Sequence, residues 1–175
     1  MYTSKMHKVI RADASHAENI ARFNQAMALE TEHKELRWDN IFPGVQSLID
    51  NTSHGFYLVA VDGQVLDKQV LDKHDEGTSK GTSKTTITGC LGVTYEWSDW
   101  RNGIFWWIQS VYVDPDHRSK GVFRAMYAEV KHLAVASGNA CGVRLYVEKD
   151  NDQAYQTYIK LGMIETDYRL MEEEF

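Results

Sequence analysis

The sequence runs to 175 residues, 43% of them hydrophobic and 25% charged, with a formal net charge of −6. A chain of that length buries a sizeable core without a disulfide or metal staple, and it reads as one domain over residues 1–175. The acidic balance argues against nucleic acid as a partner, because phosphate binding calls for surplus Lys and Arg on one face, and no apolar run approaches the ~18 residues of a membrane span.

Cys90 and Cys141 are the only cysteines, and they stand alone. That usage suits a reducing compartment. The seven histidines show no HExxH or HxxxH spacing, so no metal is expected. Met1 to Val9 holds two lysines and no apolar stretch, unlike a secretory signal, and a cytoplasmic location is expected.

In chain order, Lys8 to Arg11 reads as a first strand. Ser15-His16-Ala17-Glu18 has capping-box spacing. Ala17, Ile20, Phe23 and Met27 recur at helical period, and Glu30 continues the same apolar stripe one turn further. A second helix is expected from about Pro43, a good first-turn residue, carrying Val45, Leu48 and Ile49. Phe56 to Val61 (FYLVAV) is a strand closed by Asp62-Gly63, and Thr86 to Trp97 supplies the returning strand. Between them stand two short duplications, LDKQVLDK and GTSKGTSK. Residues 66–84 therefore read as a mobile hairpin loop or an inserted segment. The glycine and lysine spacing in GTSKGTSK does not fit a nucleotide-binding P-loop.

Ile104 to Val113 (IFWWIQSVYV) is the most apolar strand, and Asp114-Pro115 closes it. A helix from about Gly121 to Ala136 follows, stopped by Ser137-Gly138. Val143 to Glu148 reads as a strand, Asp150 to Leu161 as a helix opened by Asn151 or Asp150, and Met163 to Met171 as a last strand. The order β-α-α-β-β-β-α-β-α-β implies an α/β (α+β) fold, a mixed sheet with helices on both faces.

The chemistry concentrates in Val111-Tyr112-Val113-Asp114-Pro115-Asp116-His117-Arg118-Ser119-Lys120-Gly121-Val122-Phe123-Arg124. A buried strand gives way to a basic loop, then to a helix that opens at a glycine. Helix N-termini present unpaired N–H groups and a partial positive charge, and bind phosphates readily. Gly121 lets the backbone approach a ligand closely. Arg118, Lys120 and Arg124 add positive charge at that end.

This segment resembles motif A of the GNAT N-acetyltransferase superfamily, whose signature is Q/R-x-x-G-x-G/A. Arg118 fills the first position and Gly121 the glycine, while Phe123 stands where the family usually has Gly or Ala. Downstream, Val147 to Met163 resembles motif B, a strand followed by N-x-x-A-x-x-x-Y-x-x-x-G, with Asn151, Ala154, Tyr158 and Gly162 in register. The two motifs cover roughly residues 104–170 and come in the family's order.

The resemblance implies a mostly antiparallel sheet of six or seven strands, with a V-shaped split between two central parallel strands. It implies acetyl-CoA as cosubstrate, no metal, a small amine as acceptor, and possible homodimers. Val111 and Val113 would pair with the pantetheine arm. The diphosphate would rest on the amides of Arg118, Ser119, Lys120, Gly121, Val122, Phe123 and Arg124. Asn151 would touch pantetheine, and the Tyr158 phenol would protonate or hydrogen-bond the leaving thiolate.

A primary amine with a pKa of ~10.4 must lose a proton before it attacks, which a carboxylate or a water held by one can take. Many family members carry an acidic residue where this chain has Gln109 and Ser110. Glu30 and Glu32 are the substitutes, with Glu148, Glu96 and Asp99 as further candidates. Trp97, Trp100, Trp106 and Trp107 form either core and hairpin packing or an aromatic wall that holds a cation. On the second alternative Trp97 and Asp99 join Glu30 and Glu32 at the acceptor. The expected activity is acetyl transfer to a small cationic amine by direct attack in a ternary complex. The alternatives are a protein lysine or N-terminal acetyltransferase and a non-catalytic acyl-CoA sensor.

Overall fold

The computed structural model describes residues 7–62 and 86–173. The duplicated segment expected to form a loop lies outside them. Contacts group the chain into two compact units, Met1–Leu145 and Tyr146–Phe175.

The first unit is built on a five-stranded sheet in the order β1-β2-β3-β4-β5. The strands are β1 (Lys8–Arg11), β2 (Gly55–Asp62), β3 (Thr86–Ser98), β4 (Gly103–Val113) and β5 (Ala140–Leu145). Neighbours pair antiparallel except β4 and β5, which run parallel. The parallel pair is the expected one, with β5 as the outer strand of the described sheet. Among the described residues five strands form, where six or seven were expected, and 163–171 takes no strand conformation.

Helices α1 (Ala17–Glu32) and α2 (Trp38–Asp50) cover one face. Ala17, Ile20 and Ala21 of α1 and Val45 of α2 pack on Tyr57, Val59, Val61, Cys90 and Tyr112. The opposite face carries α3 (Val122–Ser137). Gly89, which points away from its neighbour Cys90 by strand alternation, faces Val122 and Met126 closely enough that an added Cβ would come within 3.2 and 3.3 Å of them.

Several local expectations shift. The capping box belongs to Asp13 and His16, not Ser15 and Glu18: Asp13 opens a 3-10 turn over Ala14–His16 that feeds α1. Glu18 instead accepts from Arg22 one turn along. Helix α2 begins at Trp38, and Pro43 lies inside it. Trp38 and Phe42 stack across the first turn with ring centroids 5.0 Å apart, which favours the earlier start. Strand β5 sits three residues before its expected place. Its parallel register sets Phe105 against Gly142, where a Cβ would stand 2.6 Å from the ring.

In the second unit, α4 spans Asp152–Lys160, and Asn151 caps it by accepting from the Ala154 amide. The segment after it leaves Ile164, Tyr168, Leu170 and Met171 exposed. No described strand pairs with it, and unpaired backbone in water has no reason to hold an extended ladder.

Candidate active site

Strand β4 outruns its parallel neighbour. Pairing with β5 covers Ile104 to Ile108, while β4 continues to Val113. The departure coincides with an irregularity: Gly92 pairs with Ser110 and Val93 with Ile108, so Gln109 has no partner on β3. Such a bulge bends a strand and re-aims its backbone groups.

Which groups face the gap follows from antiparallel alternation. The Asp114 amide donates to the Thr88 carbonyl at 3.0 Å. Residues 112 and 114 therefore turn their backbone groups toward β3, and Val111 and Val113 turn theirs away, toward the side that β5 has left. A buried backbone group without a partner is costly. Val111, and Val113 through its amide, thus offer hydrogen bonds to an extended ligand, while the Val113 carbonyl accepts from Arg118.

The strand ends in a 3-10 turn over Pro115–His117, with Asp114 accepting from the Asp116 amide. Arg118 is extended, Ser119 has a φ of 61° and Gly121 a φ of 85°. Gly121 is the N-cap of α3 and supplies no side chain to its first turn. The leading amides of α3 thus lack an internal cap and carry the positive end of the dipole. A Cβ built on Gly121 would meet nothing within 4 Å, so the approach to these amides is open. The Lys120 ammonium turns back to the Asp116 carbonyl at 2.6 Å, and its own carbonyl lies 2.7 Å from His7 Nε2. This set fits a diphosphate: donors, a dipole, basic residues and no obstructing side chain.

Arg118 does not point outward alone. Its Nε donates to the Val113 carbonyl at 3.0 Å, its Nη2 to Glu30 Oε2 at 2.7 Å, and its guanidinium lies 5.4 Å from the Tyr112 ring centre. Tyr112 donates its hydroxyl to the other Glu30 oxygen at 2.8 Å. Partial burial works to raise the Glu30 pKa, but the hydrogen bonds from Arg118 and Tyr112 outweigh it and hold the carboxyl below its ordinary value. Desolvation first, then Glu30, pushes the Tyr112 phenol up to about 12. Glu30 is thus a committed carboxylate and a weakened base. The sequence flagged Glu30 as out of place on an apolar stripe; the partner Tyr112 was missed, though a Tyr in the quoted motif was the available signal.

The remaining candidates are dispersed. Glu32, at the end of α1, is exposed and pairs with Lys34 at 3.2 Å. Trp97 and Trp100 are 60% and 83% exposed, and Asp99 caps the Trp100 amide at the β3–β4 turn. Trp97 pairs with Ile104, eight residues along β4 from Tyr112. At ~3.3 Å per residue that is roughly 25 Å, so Trp97 and Asp99 do not share one small pocket with Glu30. Trp106 is buried edge-on against Phe56 and Tyr95. Trp107 donates to Glu96, which also accepts from Arg144 at 2.9 Å. Arg144 in turn covers the Phe105 ring at 3.6 Å. The four tryptophans therefore form no common wall. Beside the α1–α2 connection an open cavity of about 410 Å³ is lined by Glu35, Leu36, Arg37, Asn40 and Ile41.

In the second unit, Asn151 Oδ1 is taken by the Ala154 amide at 3.0 Å. Burial pushes the Tyr158 phenol upward, so it stays protonated at neutral pH. Glu148 accepts from the Asp150 amide. Among the described residues no group of three or more His, Cys, Asp or Glu is placed to hold a metal, and no helix is long and apolar enough to cross a membrane.

A sequence model of the Acetyltransferase (GNAT) family matches residues 63–163. A solved structure described as a possible acetyltransferase from Clostridium difficile 630 is 37% identical, with a TM-score of 0.78 over 98% of this chain and 99% of that one. The fold is also similar to AAC(6')-Iy in complex with the bisubstrate analogue CoA-S-monomethyl-acetylneamine, at 13% identity and a TM-score of 0.68 over 97% and 98% of the two chains. It is similar as well to an aminoglycoside acetyltransferase from an uncultured soil metagenomic sample in complex with sisomicin, at 12% identity and a TM-score of 0.65 over 97% and 95%. A search of curated proteins finds no match.

Proposed function

Because the chain belongs to the GNAT acetyltransferase family, we propose that it moves an acetyl group from acetyl-CoA to a primary amine of a small cationic acceptor. The observation that carries this reading is β4 outrunning β5 and passing directly into the open, uncapped start of α3. One end of that path offers the backbone groups of Val111 and the amide of Val113, whose carbonyl already accepts from Arg118, and the other offers amides to a diphosphate.

On this reading the chain's part is mostly positioning. The backbone of Val111 and Val113 lines up the pantetheine arm, and the amides from Arg118 to Arg124 anchor the diphosphate. That fixes the thioester near the bulge at Gln109. Holding two reactants in line accounts for much of such a rate enhancement. The amine nitrogen bonds to the thioester carbon, and the carbonyl oxygen becomes an oxyanion within reach of a backbone N–H at the bulge. The C–S bond then breaks and the thiolate takes a proton. Tyr158 is assigned that proton on the motif alone, and its raised phenol suits a donor. Asn151 is kept as a cofactor contact on the same ground. No covalent enzyme intermediate is required, and buried Cys90, with its thiol pushed up to about 12, is no nucleophile.

The acceptor is read as cationic from the net charge of −6 and from Glu32 and Glu35 flanking the α1–α2 connection. Folds bound to aminoglycoside-type ligands accord with that choice. Glu30 is spoken for by Arg118, so Glu32, through water, is assigned the amine proton. Localisation in the cytoplasm and a homodimer remain part of this reading.

The test is thiol release from acetyl-CoA with a panel of amines. Turnover with polyamines or aminoglycosides above the buffer rate supports it. Turnover with peptides and not with small amines shifts the reading to a protein acetyltransferase. Tight CoA binding without turnover on any amine leaves an acyl-CoA sensor.

A further inference from the structure

The Glu30 carboxylate and the loop that precedes α3 come from distant parts of the chain, yet Glu30 spans both Arg118 and Tyr112. Its two oxygens are each used once, at 2.8 and 2.7 Å. Arg118 uses its Nε for the Val113 carbonyl and its Nη2 for Glu30, so two of the guanidinium's five N–H donors fix its direction. It therefore lies along the end of β4 and over the Tyr112 ring. The next residue, Ser119, holds a positive φ of 61°, a conformation that costs a non-glycine residue energy unless its surroundings impose it. The tethered Arg118 immediately before it is one such imposition.

We propose that Glu30 is a positioning residue for the diphosphate loop, acting through Arg118: it fixes Arg118 against Val113 and so holds the backbone of residues 118–121 in the shape that binds the cofactor. This deepens the acetyl-CoA reading and rests on it. It also joins the last turn of α1 to the cofactor loop, so that whatever displaces the end of that helix also loosens the loop. The alternative role, a base for the amine, requires a carboxylate free to accept a proton. Glu30 has both oxygens engaged and a lowered pKa.

Gln and Ala separate these roles. Gln at position 30 keeps an oxygen that accepts from Arg118 or Tyr112 but cannot act as a base; Ala keeps neither. For Glu30→Ala, calorimetric titration with CoA should show a Kd raised about tenfold, in keeping with loss of a partly exposed charged hydrogen bond. The fall in kcat/KM should be carried by KM for acetyl-CoA. Glu30→Gln should recover most of the affinity. Arg118→Lys keeps the charge but cannot serve Val113 and Glu30 together, and should bind CoA as weakly as Glu30→Ala. A thermal melt of each variant checks folding, and the Gln and Lys variants carry the test if the Ala variant does not fold.

Three results overturn the proposal. Equal collapse of kcat in the Gln and Ala variants with unaltered CoA affinity makes Glu30 a base. An unchanged Kd and KM in the Ala variant makes the pair idle. Tighter CoA binding by the Ala variant means that Glu30 withholds Arg118 from the ligand. Failure of the wild-type protein to bind CoA overturns the acetyl-CoA reading itself, and is told apart because it appears before any substitution.

Discussion

Tyr112 donates its hydroxyl to Glu30 at 2.8 Å, across the interface between β4 and the last turn of α1. The phenol is held protonated: desolvation and the facing carboxylate push it up to about 12. In the unfolded chain it returns to about 10. A folded pKa above the unfolded one contributes stability that is fully present below pH ~10 and is lost as pH rises from there through ~12. Denaturant midpoints measured between pH 8 and 12 should fall across that window, and Tyr112→Phe should flatten the decline. An unaltered decline in the Phe variant would assign it to other groups. On the acid side the lowered Glu30 carboxyl works in the opposite sense, its contribution fading as pH drops through the folded pKa.

Gly121 gives a second expectation. Its φ of 85° is left-handed, so Gly121→Ala should cost about 1–2 kcal/mol from backbone strain alone. The Cβ would meet no protein atom within 4 Å, so crowding adds nothing in the free protein. A methyl standing over the uncapped amides would obstruct a diphosphate. CoA affinity should therefore fall by more than thermal stability implies, which paired denaturation and calorimetry can read. Equal CoA affinity in both proteins would remove this loop from the cofactor path.

Much of this arrangement was legible in the residues. Lys8–Arg11 and the run ending at Val113 fall where alternation and apolarity put them, because a strand's faces are written locally. Motif A placed the turn and the helix start for the same reason. What was not legible depends on partners far along the chain. The position of β5 follows from Phe105 lying over Gly142, a contact no local pattern encodes. Glu30 was conspicuous on its apolar stripe, but its partner stands 88 residues away, and only the fold shows that the stripe ends in an ion pair and not a cavity. The expected strand at 163–171 had the right composition and found no described strand to pair with. The cap at Asp13 was missed because Ser15-Glu18 has the same spacing two residues later.

The buried polar pair between Asn24 and Tyr57 is a separate test of packing. Asn24 Nδ2 donates to the Tyr57 hydroxyl at 3.2 Å, and Asn24 Oδ1 is buried without a hydrogen-bond partner. Removing one member leaves the other desolvated, which costs about 1–3 kcal/mol. Asn24→Leu should therefore destabilise the protein by about that much. Asn24→Leu with Tyr57→Phe should be less destabilised than the single variant, because both ends of the Asn24–Tyr57 hydrogen bond are then removed together. Additive losses in urea titrations would mean that the two groups are satisfied independently.

Tyr158 is the last and most direct test of the chemistry. Burial raises its phenol, which favours the protonated form that a leaving thiolate needs. In the proposed reaction the proton leaves the phenol only as the C–S bond breaks, so removal of the hydroxyl should act on the transition state and not on cofactor binding. Tyr158→Phe keeps the ring and its packing. Its kcat should fall by about 10²-fold, a typical share for general acid catalysis, while the Kd for acetyl-CoA stays near the wild-type value. An acceptor-side control sharpens the reading: the loss should be the same for every amine that the enzyme accepts, since the leaving group is common to all. A loss confined to one amine would instead place the phenol against that acceptor, and parallel losses of kcat and CoA affinity would make Tyr158 a packing residue.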